Sequence, residues 1–519
     1  MLGSGIKITH MDMKNNQEGR HLPMDIYQLI QELVDKGINK QLIEREDEVY
    51  VRNQILSFLH LNSFTQKESL SALREIPDIL EEILHYACQE QLIENTLDER
   101  EILSSAIMNC FLSKPSTINH TFYQKYKENP VEATDYFYKL SKDSNYIQTK
   151  QISKNSSYKV DTEYGEIDIT INLSKPEKDP KQIAKEKAAP SLDVNYPRCL
   201  LCQENEGYKG RTGHPARANH RMIRVNLLEE QWLLQYSPYV YYNEHCILLS
   251  SVHRDMKINK DTFSKLLMFV EKFPHYFIGS NADLPIVGGS ILTHDHYQGG
   301  RYEFAMTKAT DDFLFKIDNF PNVDCSILHW PMSVIRLKSK NAEEIVNLSD
   351  HILQTWKKYS DRTVDIIASS NGEEHNTVTP IARKKNGIYE LDLVLRNNRT
   401  DDDYPMGIFH PHHDVHHIKK ENIGLIEVMG LAVLPARLKE ELIQIENFLL
   451  GRSHQIADYH KEWAQELKTN YKSQLNISNI KDLLEREVGK KFLRCLEDAG
   501  VFKRNKVGQQ AFRKFLELL

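Results

Sequence analysis

The chain has 519 residues, and its 40% hydrophobic and 27% charged content is that of a soluble globular protein of several domains. With 66 Lys plus Arg against 73 Asp plus Glu, the formal charge of −7 leaves no basic excess for nucleic acid. No apolar run reaches the roughly 18 residues of a membrane span, and Met1 to Arg20 lacks a signal-peptide core, so a cytoplasmic protein without membrane or nucleic-acid partners is expected.

The first 20 residues form a variable start, and 21–190 are expected to be mostly helical. Ile26, Leu29, Ile30, Leu33 and Val34 follow helical spacing, with Gly37 as a stop, and similar spacing recurs at Val49 to Leu59 and Ile76 to Leu84. Glu90, Glu94 and Asp98 read as a solvated face. Ile167, Ile169, Ile171 and Leu173 alternate with polar residues as a half-buried strand does, and the Lys-rich stretch Lys175 to Lys187 reads as a surface connection.

Residues 191–305 carry strand signals at Met222 to Val225, Trp232 to Tyr236 and Cys246 to Leu249, then a helical pattern from Thr262 to Phe273. Residues 306–438 repeat the theme, with strands expected at Trp330 to Leu337 and Val364 to Ser369. Asn386-Gly387 predicts a two-residue hairpin turn into Tyr389, Leu391, Leu393 and Leu395. His410-Pro411-His412 then follows, where the first block has its own His-x-His. Two divergent copies of one unit explain this economically, and the class is α+β. Helices are expected over Ile423 to Leu449, Ile456 to Thr469 and Ile480 to Leu519, with 439–519 a helical C-terminal region.

The most informative stretch is Gly288-Gly289-Ser290-Ile291-Leu292-Thr293-His294-Asp295-His296-Tyr297-Gln298-Gly299-Gly300. If extended, it puts His294, His296 and Gln298 on one face with neighbours roughly 6.6 Å apart, so three polar groups converge on one ligand. Flanking glycines allow close backbone approach and amides exposed to phosphate. A histidine can act as a nucleophile, dividing one difficult displacement into two. His296 would attack phosphorus with one ring nitrogen while a carbonyl or carboxylate holds the N–H of the other, and Gln298 would donate to a non-bridging oxygen. Arg217, Arg221 and Arg224 form the nearest cationic cluster, suited either to a pyrophosphate or sugar phosphate or to surface salt bridges.

Seven cysteines are few and odd in number, which argues against a disulfide framework. Only Cys199 and Cys202 are close, at the Cys-x-x-Cys spacing of half a tetrahedral zinc site; a redox dithiol or two buried reduced thiols are the alternatives.

The His-x-His-x-Gln stretch resembles the motif of the galactose-1-phosphate uridylyltransferases, a branch of the histidine-triad superfamily, and most closely their bacterial class II form. Asp295 stands where the class I form usually has proline. The segments Glu166 to Lys181 and Glu421 to Leu438, the latter read as a helix, are also similar to class II members. The resemblance implies two divergent histidine-triad-like antiparallel half-barrels, at 191–305 and 306–438, with a helical N-terminal region and a helical C-terminal tail. It implies exchange of UMP between UDP-glucose and galactose 1-phosphate through a uridylyl-His296 intermediate, with Asn281, more remotely, at the place of a nucleotide-contacting Asn of class I; Ser290 and nearby backbone amides are suited to meet the phosphate oxygens. A hydrolase or phosphorylase of the same superfamily, or a non-catalytic nucleotide-binding protein, is the alternative. The class I form also implies a structural zinc on Cys199, Cys202, His253 and His294 and, by weaker resemblance, a second metal such as iron at His410, His412 and Glu427, for which a structural hydrogen-bond cluster is the alternative; the family implies a homodimer.

Overall fold

The structure, a computed structural model, describes residues 25–66, 74–174, 196–289, 291–472 and 475–519. The expectations for 1–20, for Lys175 to Lys187 and for Ser290 lie outside the described residues. The chain divides into two compact units, Met1–Glu94 and Asn95–Leu519. In the first, helices Ile26–Asn39, Glu48–Phe58 and Ile76–Gln89 bury the stripe that the sequence period marks, including Leu29, Ile30, Leu33 and Val34. The first helix runs through Gly37, and the chain turns left-handed only at Gln41.

The second unit is α+β. A small sheet pairs β1 (Ser156–Thr162) with β2 (Gly165–Ile171). The main sheet contains β3 (Ile223–Leu227), β4 (Glu230–Tyr236), β5 (Cys246–Ser250), β6 (Phe277–Gly279) and β7 (His296–Gly300) in its first half. Its second half contains β8 (Asp311–Phe315), β9 (Asp324–Leu328), β10 (Val334–Ser339), β13 (Asn376–Lys385) and β14 (Ile388–Asn397), with a two-residue hairpin, β11 (Ser369–Ser370) and β12 (Glu373–Glu374), standing apart. The order is β3-β4-β5-β7-β6-β13-β14-β10-β9-β8, all antiparallel.

Each half therefore has the same plan. Three strands meander, a helix crosses (Lys260–Lys272, then Ala342–Lys358), and a hairpin inserts its second strand beside the third meander strand. The halves join through β6 and β13 into one sheet. One apolar core fills the face under the two crossing helices, with Phe263, Phe269 and Trp356 buried there; a second, around Trp330, Ile381 and Leu425, fills the other face.

The register matches residues across the halves. Gly279 pairs with both Ile381 and Gln298, while Ile381 pairs with both Gly279 and Asp392. Gln298 and Asp392 thus hold corresponding places, as do His296 and Glu390, and Ile247 and Arg336. In the second half these places are filled by an ion cluster. Arg336 grips Asp392 with two bonds of 2.7 and 2.9 Å, and Arg383 bonds Asp392 at 2.8 Å and also Glu390. Burial pushes the Asp392 carboxyl up, but the two guanidiniums outweigh it and hold the group below its ordinary value. Asp392→Ala would leave two buried cations short of a partner, and a loss of about 3–5 kcal/mol is expected in urea unfolding.

Several sequence expectations are corrected. The strand equivalent to the His-x-His-x-Gln strand is β14, while His410 and His412 lie beyond it in a loop leading to the short 3-10 turn His413–Val415. Trp330 to Ser333 turns before β10 begins, and Arg362–Val364 is a 3-10 turn whose stretch reaches extended backbone only at Ser369. The Asn386-Gly387 hairpin turn is as expected, with φ of 52° and 78°. The helix read over Ile423 to Leu449 is three elements: a single turn Leu425–Val428, then β15 (Leu431–Leu434) parallel to β2, then helix Leu438–Leu449. Gly430 breaks the run at φ 101°, and a side chain there would meet the Trp330 ring, so only glycine makes this corner. The last helical stretch likewise divides, at Gly500, into Ile480–Ala499 and Lys506–Leu516.

Candidate active site

The sheet positions the central stretch by pairing β7 with β5 on one side and β6 on the other. Gly299 makes this possible, because a Cβ there would lie 2.5 Å from the Phe277 carbonyl oxygen. The extended segment starts at His296 rather than His294, which sits in a bend. His294 is therefore turned away, while His296 and Gln298 line an open cavity of about 600 Å³.

His296 is buried, and its Nδ1 donates to the His294 carbonyl at 2.8 Å, which leaves the lone pair on Nε2. Burial lowers its pKa to about 4, so the ring is neutral at physiological pH. The Gln298 carbonyl oxygen accepts from His245 Nε2 at 3.1 Å. Asn281 also lines the cavity; its Oδ1 accepts from the Leu425 amide at 2.8 Å, and Gly289 packs so closely that a Cβ would lie 2.7 Å from the Asn281 Nδ2.

The cavity is also lined by residues of the segment from Lys419 to Glu427, which follows the second histidine pair. Among the described residues that line the cavity, Lys419 is the one Lys or Arg. Its Nζ donates to Glu427 Oε1 at 3.1 Å and to the Val433 carbonyl at 3.2 Å. Burial pushes its pKa down, but Glu427 and Glu421 outweigh this and raise it, so it stays charged. The sequence reading missed Lys419 as a site residue because Lys419-Lys420-Glu421 has the look of a solvated charge run. It missed His245 too, although that residue stands one position before a recognisable strand.

Arg217, Arg221 and Arg224 are not among the lining residues. Arg221 bonds Asn109 Oδ1 and the Ser113 carbonyl, Arg224 forks onto Glu206, and Arg217 lies over the Tyr146 ring. Arg221 thus ties the end of helix Leu97–Asn109 to the chain just before β3.

Cys199, Cys202, His253 and His294 converge, with one ligand atom from each and all four within 4.8 Å of one another. Sγ to Sγ is 3.5 Å, Cys199 Sγ to His294 Nδ1 is 3.3 Å, and Cys202 Sγ to His253 Nδ1 is 3.2 Å. A tetrahedral site with ordinary metal–sulfur and metal–nitrogen bonds has edges of about 3.3–3.8 Å, so the donor set fits a metal ion. His294 Nε2 donates to the Ser250 carbonyl at 2.9 Å, which leaves Nδ1 free to ligate. The second metal expectation is corrected, since its three residues do not meet. His410 bonds Pro411 and Asn422, His412 faces Asp498, and Glu427 holds Lys419. Among the described residues no second group of metal-ligating type converges.

The back face of β7 is anchored separately. Asp295 accepts from Arg254, which is forked onto Glu230, and Tyr297 stacks on Trp232 at 4.9 Å. Backbone bonds from Asp295 to Arg254 and from Ser250 to Asp295 join the segment carrying His253 to the one carrying His294. Asp295 at the class I proline position thus provides an ionic anchor.

Two family models match this chain, the N-terminal domain of galactose-1-phosphate uridyl transferase over residues 41–255 and its C-terminal domain over 269–465. A galactose-1-phosphate uridylyltransferase of Clostridium perfringens (strain 13 / Type A) is 53% identical over 493 residues, covering 95% of this chain and 98% of that protein. One of Ligilactobacillus salivarius (strain UCC118) is 51% identical, covering 92% and 97%. Among solved structures, a yeast Ap4A phosphorylase aligns with 69% of this chain and 96% of its own at 12% identity and a TM-score of 0.33. Matching family models at both halves and relatives of half-identical sequence along nearly the whole length make this chain a member of the galactose-1-phosphate uridylyltransferase family.

Proposed function

We propose that this chain exchanges a uridylyl group between UDP-glucose and galactose 1-phosphate in two displacements through His296. In the first, His296 Nε2 attacks the α-phosphorus and the bond to the bridging oxygen breaks, releasing glucose 1-phosphate and leaving UMP on the ring. In the second, a phosphate oxygen of galactose 1-phosphate attacks that phosphorus, the P–N bond breaks, and UDP-galactose departs. The observation that carries this reading is the Nδ1 bond to the His294 carbonyl, which directs the nucleophilic lone pair to the other nitrogen in a cavity of nucleotide-sugar size.

Phosphoryl-type transfer asks for positioning and charge neutralisation more than for acid–base work, because phosphate is already a good leaving group. Gln298 and Asn281 offer amides to the phosphate oxygens, and Lys419 offers the cavity's cation. Zinc suits the Cys199, Cys202, His253 and His294 donors and would be structural, holding four side chains and leaving substrate untouched. His294 belongs to that group while its carbonyl orients His296, so the metal ligands and the nucleophile share one rigid segment.

Intact mass after incubation with UDP-glucose alone, at neutral or alkaline pH, tests the proposal. One uridylyl group should be gained and then removed by galactose 1-phosphate but not by inorganic phosphate. No adduct during glucose 1-phosphate release would refute the covalent route, and removal by water or phosphate would make the protein a hydrolase or phosphorylase. Lys419→Met should lower kcat by about 10²-fold; an unchanged rate would remove Lys419 from phosphate stabilisation.

A further inference from the structure

We propose that His245 is a positioning residue that fixes the amide of Gln298, so that its NH2 group faces the reacting phosphate. This deepens the proposed two-step transfer and rests on it. His245 precedes β5 by one residue, on the same face as Ile247 and Leu249, whose cross-strand partners are Gln298 and His296. Its Nε2 lies 3.1 Å from Gln298 Oε1, its ring lies against Tyr242 at 4.6 Å, and its backbone carbonyl accepts from Ser237 at 2.8 Å. The ring thus has Tyr242 against it and Gln298 at its Nε2, while the backbone bond fixes the residue that carries it. Gly300 keeps it there, since a Cβ at that place would meet the Glu244 carbonyl and the Tyr242 ring at 2.7 and 2.8 Å.

The proton on His245 can be located from its surroundings. Burial lowers its pKa to about 4, so the ring is neutral and carries one N–H. Nδ1 is buried with no hydrogen-bond partner among the described residues, so an N–H there would be an unmet donor. Placed on Nε2, the proton is satisfied by Gln298 Oε1. A side-chain amide whose oxygen is taken in this way must turn its nitrogen the other way, and Gln298 lines the cavity beside His296. Without the His245 donor the amide can rotate by half a turn and set its oxygen against an anionic phosphate.

A double-mutant cycle tests this, read as the rate of uridylyl-enzyme formation from UDP-glucose. His245→Phe keeps a ring against Tyr242 and removes the donor; it should slow formation about 10-fold with KM changed less than about 2-fold. His245→Gln returns an N–H near the Nε2 place and should recover most of the rate. In a Gln298→Ala background, His245→Phe should cost nothing further. An equal cost in both backgrounds would overturn the positioning role. If Gln298→Ala alone leaves the rate unchanged, the role given to Gln298 in transfer fails, which is a separate result. Should His245→Phe fail to fold, His245→Asn, whose N–H falls on the Nδ1 side, replaces it against His245→Gln in the same cycle. Equal rates for those two would also overturn the proposal.

Discussion

His296→Asn should abolish uridylyl transfer, with kcat reduced by on the order of 10⁴- to 10⁶-fold, as when other enzymes lose a covalent nucleophile. The variant should fold, because the side chain contributes one hydrogen bond, to the His294 carbonyl, and its strand is held by β5 and β6 whatever residue it carries. Three readings separate the outcomes: turnover, mass gain with UDP-glucose, and binding of UDP-glucose without reaction. Binding with neither turnover nor adduct is the expected pattern. A persistent adduct would mean another nucleophile, and persistent turnover without one would mean direct transfer between substrates.

Cys202→Ser should release the metal and loosen the fold around the site. The wild-type protein is expected to carry about one zinc per chain by elemental analysis, and the variant almost none. Cys202 is buried, and the group it helps to build ties three distant segments at residues 199–202, 253 and 294. Losing that tie should cost about 3–5 kcal/mol and lower Tm by about 3–6 °C. Thiol titration gives a readout independent of activity, because Cys199 should become reactive in the variant while both thiols stay protected in the wild type. A metal-free wild-type protein with two freely titrating thiols would end the assignment. Uridylylation should fall along with the metal, since the peptide whose carbonyl orients His296 belongs to a ligand.

That His296 and Gln298 of the central stretch share a cavity was legible because it depends on local facts: a spacing of two, and glycines where strands crowd. The metal group needed a family resemblance, since Cys-x-x-Cys supplies only half of it and nothing in spacing leads from residue 202 to residues 253 and 294. Lys419 was hidden because burial is decided by tertiary structure. Its charge run reads as exposed until β15 comes to lie beside β2 and offers the Val433 carbonyl. The same rearrangement defeated the helix expected over Ile423 to Leu449, because an apolar run has no period that tells a buried strand from a buried helix. The three arginines show the converse: they read as a cationic cluster in the sequence, yet none is among the residues that line the cavity.

The ion cluster of Arg336, Arg383, Glu390 and Asp392 makes the two halves of the sheet non-interchangeable by single steps. Exchanging Asp392, the carboxylate that both arginines share, for a residue of the other half leaves two buried cations short of a partner, so that path toward a second reactive centre begins uphill. Four coordinated replacements would be needed before a histidine at 390 had neutral surroundings. The asymmetry is therefore self-locking. One half of the sheet thus carries the histidine strand and the other a fixed ion cluster, while the segment that follows the second half still supplies a wall of the cavity.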